Sequence, residues 1–113
     1  MHEMSLCQGI IGIVEDAAEQ QSFARVKSVT LELGRLGHVL PEAMLFCFDA
    51  VSRGTLADGA ELVIRRTEGG AWCFDCEASV PLDDRLSPCP KCGGGRLQVT
   101  SGEELRVLDI EVE

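Results

Sequence analysis

Two Cys-x-x-Cys pairs constrain this chain more than any other feature of it. Cys73 and Cys76 are followed, after a twelve-residue spacer, by Cys89 and Cys92. Two residues between thiols let one tight turn aim both sulfurs at a single ion, with Zn–S bonds near ~2.3 Å. The spacer is slightly shorter than the commonest range for such motifs, yet long enough for a short hairpin to return the second pair. Residues 70–98 are rich in cysteine, proline and glycine and poor in large apolar side chains. A segment of that composition has little to bury, so an ion is what would hold it folded. Four soft sulfur donors suit tetrahedral zinc and close its coordination sphere, which predicts a structural ion with no open position for water. A redox Cys-x-x-Cys would need only one pair, in a thioredoxin-like setting. The two knuckles differ in one respect. Gly93 follows Cys92 directly, where such a turn often needs a positive φ, whereas Glu77 follows Cys76 and suits that conformation less well.

The remainder reads as an α+β body. From Met4 to about Gln21, Cys7, Ile10, Ile11, Val14, Ala17 and Ala18 recur at three- and four-residue intervals, the stripe of an amphipathic helix. Arg25 to Gly34 alternates Val29, Leu31 and Leu33 with Ser28, Thr30 and Glu32, a half-buried strand. After a loop through Gly34 to His38, Pro41 starts a second helix whose expected buried stripe is Met44, Leu45, Phe48 and Val51. Glu61 to Thr67 and Leu105 to Val112 are two further strands, the last with a slip of alternation between Val107 and Leu108 that suggests a bulge or a change of face. The expected fold is therefore two helices packed on a three-stranded sheet, with an inserted zinc-ribbon-like module. Residues 1–69 with 99–113 form the body and 70–98 the zinc-binding domain.

Acidic residues outnumber basic ones by 19 to 10, for a formal net charge of −9. Nucleic-acid affinity comes largely from Lys and Arg neutralising phosphates, so this balance argues against DNA or RNA as the main partner and favours cationic ones. Zinc ribbons do often bind nucleic acid, but this module sets Arg85, Lys91 and Arg96 against Asp75, Glu77, Asp83 and Asp84, with only Trp72 and Phe74 to stack bases. No apolar run is long enough to span a membrane, and the start of the chain lacks the basic region of a signal peptide. Cysteines paired as metal knuckles rather than a disulfide framework point to a reducing compartment, the cytoplasm. Cys7 and Cys47 fall on the helical stripes and read as small core residues. No nucleophile–base pair or phosphate loop indicates an enzyme.

Met1, His2 and Glu3 form the other candidate site. A free α-amine, the His2 amide nitrogen and imidazole Nδ1 can close a five- and a six-membered chelate ring on one ion. The Glu3 backbone or carboxylate is available as a fourth donor. Nitrogen-rich tetragonal sites suit Ni²⁺ or Cu²⁺. On residue chemistry alone a histidine near a terminus is more often a solvated side chain, and both readings stand. His38, in the loop before the second helix, is either a loop residue or a further ligand beside His2.

Met1-His2-Glu3-Met4-Ser5-Leu6, Leu31-Glu32-Leu33-Gly34, Pro41-Glu42-Ala43, Gly54 to Leu62 and Ser101 to Val107 occur in this order around the cysteine pairs. Together they resemble the HypA/HybF family of nickel chaperones for [NiFe]-hydrogenase maturation, over essentially the whole chain. The resemblance implies a non-enzymatic carrier that inserts nickel into the hydrogenase large subunit in concert with a HypB-type GTPase. It also implies transferable Ni²⁺ at Met1, His2 and Glu3, with His38 or Glu42 offered by the loop, and structural Zn²⁺ on Cys73, Cys76, Cys89 and Cys92. The competing reading is a zinc-ribbon adaptor that binds protein or nucleic acid without moving any metal. The chain departs from the family pattern at Cys7 and Cys47, where many members lack a thiol, and at Glu77, where glycine is common.

Overall fold

The computed structural model describes residues 2–113 and has mixed α+β architecture. Helix α1 (His2–Gln21) buries Cys7, Ile10, Ile11 and Val14 on one face, as their spacing requires, and Glu3 lies on that face as well. It begins two residues before the expected start, so His2 stands in its first turn. Its last turn closes where Ser22, at φ 59°, donates its N–H to Ala18 O at 2.8 Å, a left-handed cap.

Helix α2 (Pro41–Ser52) has proline in its first turn, where the missing N–H is no loss. Its buried residues are Met44, Cys47, Phe48 and Ser52. Leu45, expected in that stripe, is instead 47% exposed, beside Phe46 at 75%. The 3.6-residue turn places position 45 off the face shared by 44, 47, 48 and 52. The two helices pack together, Cys7 Sγ donating to Met44 O at 3.5 Å and lying 4.0 Å from Met44 Sδ.

Strands β1 (Val26–Gly34), β2 (Glu61–Thr67) and β6 (Leu105–Val112) form one sheet in the order β2-β1-β6. β1 runs with β2, since Val26 N bonds Leu56 O at one end and Arg35 N bonds Thr67 O at the other. It runs against β6, since Glu113 N bonds Arg25 O and Gly34 N bonds Glu104 O. The central strand β1 is the most buried, through Val26, Val29, Leu31 and Leu33. In β6 the half-buried positions are Leu105, Val107 and Ile110, so the alternation does shift phase after Val107.

The insert is richer than a single hairpin. β3 (Gly70–Cys73), β4 (Ala78–Pro81) and β5 (Leu97–Ser101) make a second three-stranded sheet, with β3 central and antiparallel to both neighbours. Backbone contacts divide the chain into two compact units. Residues 1–31, 39–65 and 106–113 form one, and 32–38 with 66–105 the other. In the second unit Leu36, Ala71, Cys73, Val80, Leu82 and Cys89 form the core, with Cys76, Leu97 and Val99 packed against it.

Three glycines close this second unit at its base. A Cβ on Gly34 would collide with the Gly102 carbonyl, and one on Gly69 with the Leu82 carbonyl. One on Gly102, at φ 98°, would stand 2.6 Å from Gly69 Cα. Main chain meets main chain here, so only glycine fits. Glu104 secures the turn, its carboxylate accepting Gly102 N at 3.0 Å and Thr67 Oγ1 at 2.6 Å.

Candidate metal centres

The first cysteine pair sits at the tip of the β3–β4 hairpin. Cys73 ends β3, the turn brings Cys76 round, and Cys76 N donates to Cys73 Sγ at 3.4 Å. Glu77, the residue that must then turn the chain into β4, adopts φ 52°. The second pair lies in a loop closed by Gly93 N to Cys89 O and Cys89 N to Gly94 O, both 2.9 Å. Lys91 N and Gly94 N donate to Cys89 Sγ and Cys92 Sγ at 3.4 Å each. Gly93 takes φ 73°. A side chain on Gly94 would meet Asp75 Oδ2 at 2.8 Å, which keeps that position bare. Arg96 Nη1 bonds Asp75 Oδ1 at 3.1 Å, fastening the first turn to the strand that follows the second.

All four sulfurs lie within 4.8 Å of one another. Cys73 and Cys92 are 3.7 Å apart, and Cys76 and Cys89 3.9 Å. A regular tetrahedron with ~2.3 Å metal–sulfur bonds has edges of about 3.8 Å, so the two distances fit one ion at the centre. Hydrogen bonds shared first with Cys92 and then with Cys73 push the Cys76 thiol up to about 12. Backbone N–H groups, that of Cys92 first and that of Lys91 next, draw Cys89 down to about 7. Sulfurs this close share protons unless a cation replaces them. The donor set, four thiolates with backbone N–H bonds, fits Zn²⁺ and leaves no vertex for a reactant.

Of the other candidates, Met1 lies outside the described residues. His2 is exposed and opens α1, and Glu3 beside it is buried at 8% exposure. Glu3 lies close enough to Cys7 to help hold that thiol up at about 11, after the larger effects of burial and of Cys47. His38 is exposed in the turn after β1, where it lines a groove of about 360 Å³ with Arg35, Asp83, Asp84, Arg85 and Leu86. Among the described residues no second group of three or more His, Cys, Asp or Glu ligand atoms gathers. Trp72 and Phe74 are exposed on the zinc sheet, but their neighbour Arg96 is committed to Asp75.

Sequence reasoning found the four cysteines and missed the backbone that serves them. The N–H donors of Cys76, Lys91 and Gly94 leave no residue-type signal. The glycines after Cys92 were the one visible sign.

Residues 1–112 match the family model described as hydrogenase/urease nickel incorporation, metallochaperone, HypA. Hydrogenase maturation factor HypA 2 of Bradyrhizobium diazoefficiens is 57% identical over 113 residues, covering 100% of both chains. Hydrogenase maturation factor HypA of Paracoccus denitrificans is 55% identical over 112 residues, covering 99% of each. The solution structure of the Ni metallochaperone HypA from Helicobacter pylori shares the fold with a TM-score of 0.69 at 21% identity, covering 97% of this chain and 96% of that one.

Proposed function

This chain belongs to the HypA family of hydrogenase/urease nickel-incorporation metallochaperones, and from that premise we propose that it carries Ni²⁺ on its first residues and hands it on for [NiFe]-hydrogenase maturation. The donors are the Met1 α-amine and the His2 amide nitrogen and imidazole, with the Glu3 backbone or carboxylate, or His38, as the fourth. Cys73, Cys76, Cys89 and Cys92 hold a permanent Zn²⁺. His2 and Glu3 belong to the unit of residues 1–31, 39–65 and 106–113, and the four cysteines to that of 32–38 with 66–105. A HypB-type GTPase and the hydrogenase large subunit are the partners, and the cytoplasm is the setting.

The observation that carries the nickel reading is that α1 begins at His2. The first four N–H groups of a helix have no intrahelical acceptor. The amide of His2 can therefore lose its proton to a metal without breaking a helical bond. An anionic nitrogen there also sits at the positive end of the helix dipole, which is favourable by about 0.3–1 kcal/mol. A donor set of amine, amide and imidazole suits Ni²⁺, and its terminal position suits release. The closed, partly buried sulfur site suits an ion that stays.

Titration of Ni²⁺ into zinc-loaded protein with a native terminus tests this. One nickel per chain is expected, with the yellow d–d absorption of planar coordination. It should be lost in His2→Ala and when residues precede Met1. Loss in His38→Ala would add that side chain to the ligands. Equal affinity in the native protein and His2→Ala would remove the reading.

A further inference from the structure

β6 is a margin of its sheet, so one row of its N–H and C=O groups has no strand partner among the described residues. Alongside it runs an open groove of about 370 Å³, walled by Ile13 and Ala17 of α1, by Phe23 and by Val107 through Ile110. Side chains alternate between faces along a strand. In β6 that alternation shifts after Val107, and Val107 through Ile110 all border the groove beside the strand's free margin. Gln21 lines it too, and its surface is mixed, more polar than apolar; the apolar share includes Ile13, 51% exposed, and Leu108, 44%, and Val112 continues the strand at 43%. A strand margin with an unpaired row of backbone groups invites pairing with another chain.

We propose that the free margin of β6 is a docking site for an extended, basic partner segment, which adds to the sheet as a fourth strand. An apolar side chain of the segment packs between Ile13 and Leu108, and a Lys or Arg meets Asp109. Charge selects this occupant. Asp109 lines the groove and is exposed, and Asp16 stands on the same exposed side of α1 as Ile13 and Ala17. The neighbouring acids of the strand are already matched, Glu111 by Lys27 at 3.6 Å and Glu113 by Arg25 at 3.4 Å. No Lys or Arg lines the groove. The unit that contains it carries eleven acidic side chains against five basic ones. A second copy of the chain fits poorly, because it brings the same formal net charge of −9 to a groove that no Lys or Arg lines. Backbone bonds supply affinity in this mode and alternate side chains supply specificity.

The test uses the full zinc-loaded chain and the capped peptide acetyl-Arg-Val-Lys-Ile-Arg-Val-amide, followed by amide exchange and calorimetry. Saturable binding with a Kd below about 1 mM is expected, with exchange of the outward amides of β6 slowed about tenfold or more. Methylating alternate backbone nitrogens of the peptide, or replacing its basic residues by Glu, should abolish binding. Asp109→Lys, at an exposed position that leaves the fold intact, should weaken it about tenfold or more. Nickel loading should leave it unchanged, which separates this proposal from the carrier reading. Unaltered β6 exchange at saturation, equal binding of the methylated peptide, or no binding at about 1 mM would overturn it. So would sedimentation showing a dimer of the free chain that Leu108→Lys dissolves, since the margin would then belong to a second copy.

Discussion

Glutamate is an awkward residue at position 77, and replacing it with glycine should stabilise the zinc-loaded protein. Glu77 is held at φ 52°, whereas the corresponding residue of the second knuckle, at φ 73°, is Gly93. The left-handed conformation costs a residue with a Cβ about 1–2 kcal/mol. Glycine escapes that penalty but loses about 0.5–1 kcal/mol more conformational entropy on folding. The net gain for Glu77→Gly is about 0.5–1 kcal/mol, which in a domain of this size raises Tm by about 2–6 °C. Removing a carboxylate next to Cys76 could add to the effect, so Glu77→Ala serves as the control: it deletes the same charge and keeps the strain. Gly93→Ala runs the experiment in reverse. An added Cβ there meets no atom within 4 Å, so the net loss of about 0.5–1 kcal/mol would be purely a backbone effect. Scanning calorimetry at fixed zinc activity resolves differences of this size. If Glu77→Gly melts no higher than Glu77→Ala, or Gly93→Ala melts with the parent, the dihedral account is wrong.

Other perturbations have equally definite outcomes. Gly102→Ala combines a φ of 98° with a Cβ 2.6 Å from Gly69 Cα, so it should cost about 3 kcal/mol or more, read as a lowered urea midpoint. Stripping zinc with a chelator should abolish the dispersed amide signals of β3, β4 and β5, because a structural zinc site contributes on the order of 10 kcal/mol to folding; persistence of those signals would mean the sheet stands without the ion. The buried Cys7 thiol keeps its proton to about 11, against an ordinary 9.0. The unfolded chain therefore ionises first as pH rises. The contribution of this thiol is complete below pH 9.0 and is lost on approaching 11, so Tm should fall across that interval, and less steeply in Cys7→Ala.

Much of the architecture was legible because it is written in periodicities. The stripe of Cys7, Ile10, Ile11 and Val14 and the alternation of Val29, Leu31 and Leu33 each report a single buried face. The cysteine spacing reports a shared ion in the same direct way, and the glycine after Cys92 reports a turn. What stayed hidden depends on partners distant in sequence. β3, β4 and β5 have four, four and five residues, too short for alternation to stand out, and their pairing is fixed by the hairpin and the sulfurs. Leu45 looked like core because it is apolar and next to Met44, but helical geometry turned it outward. Gly34, Gly69 and Gly102 meet backbone to backbone across long stretches of chain, and no local pattern announces such an encounter. At the terminus, apolar spacing begins only at Met4, so the helix gave no sign that it already includes His2.

The four sulfurs are not equally hidden: Cys73 and Cys89 are buried and Cys76 half-buried, while Cys92 is exposed. That asymmetry sets a route as well as an affinity. An incoming thiol, chelator or oxidant reaches Cys92 before its three companions, so an ion seated among them would leave by surrendering that bond first, and its residence time would follow the traffic at one sulfur rather than the combined strength of four. Even a tightly held ion could thus turn over quickly wherever competing ligands are abundant.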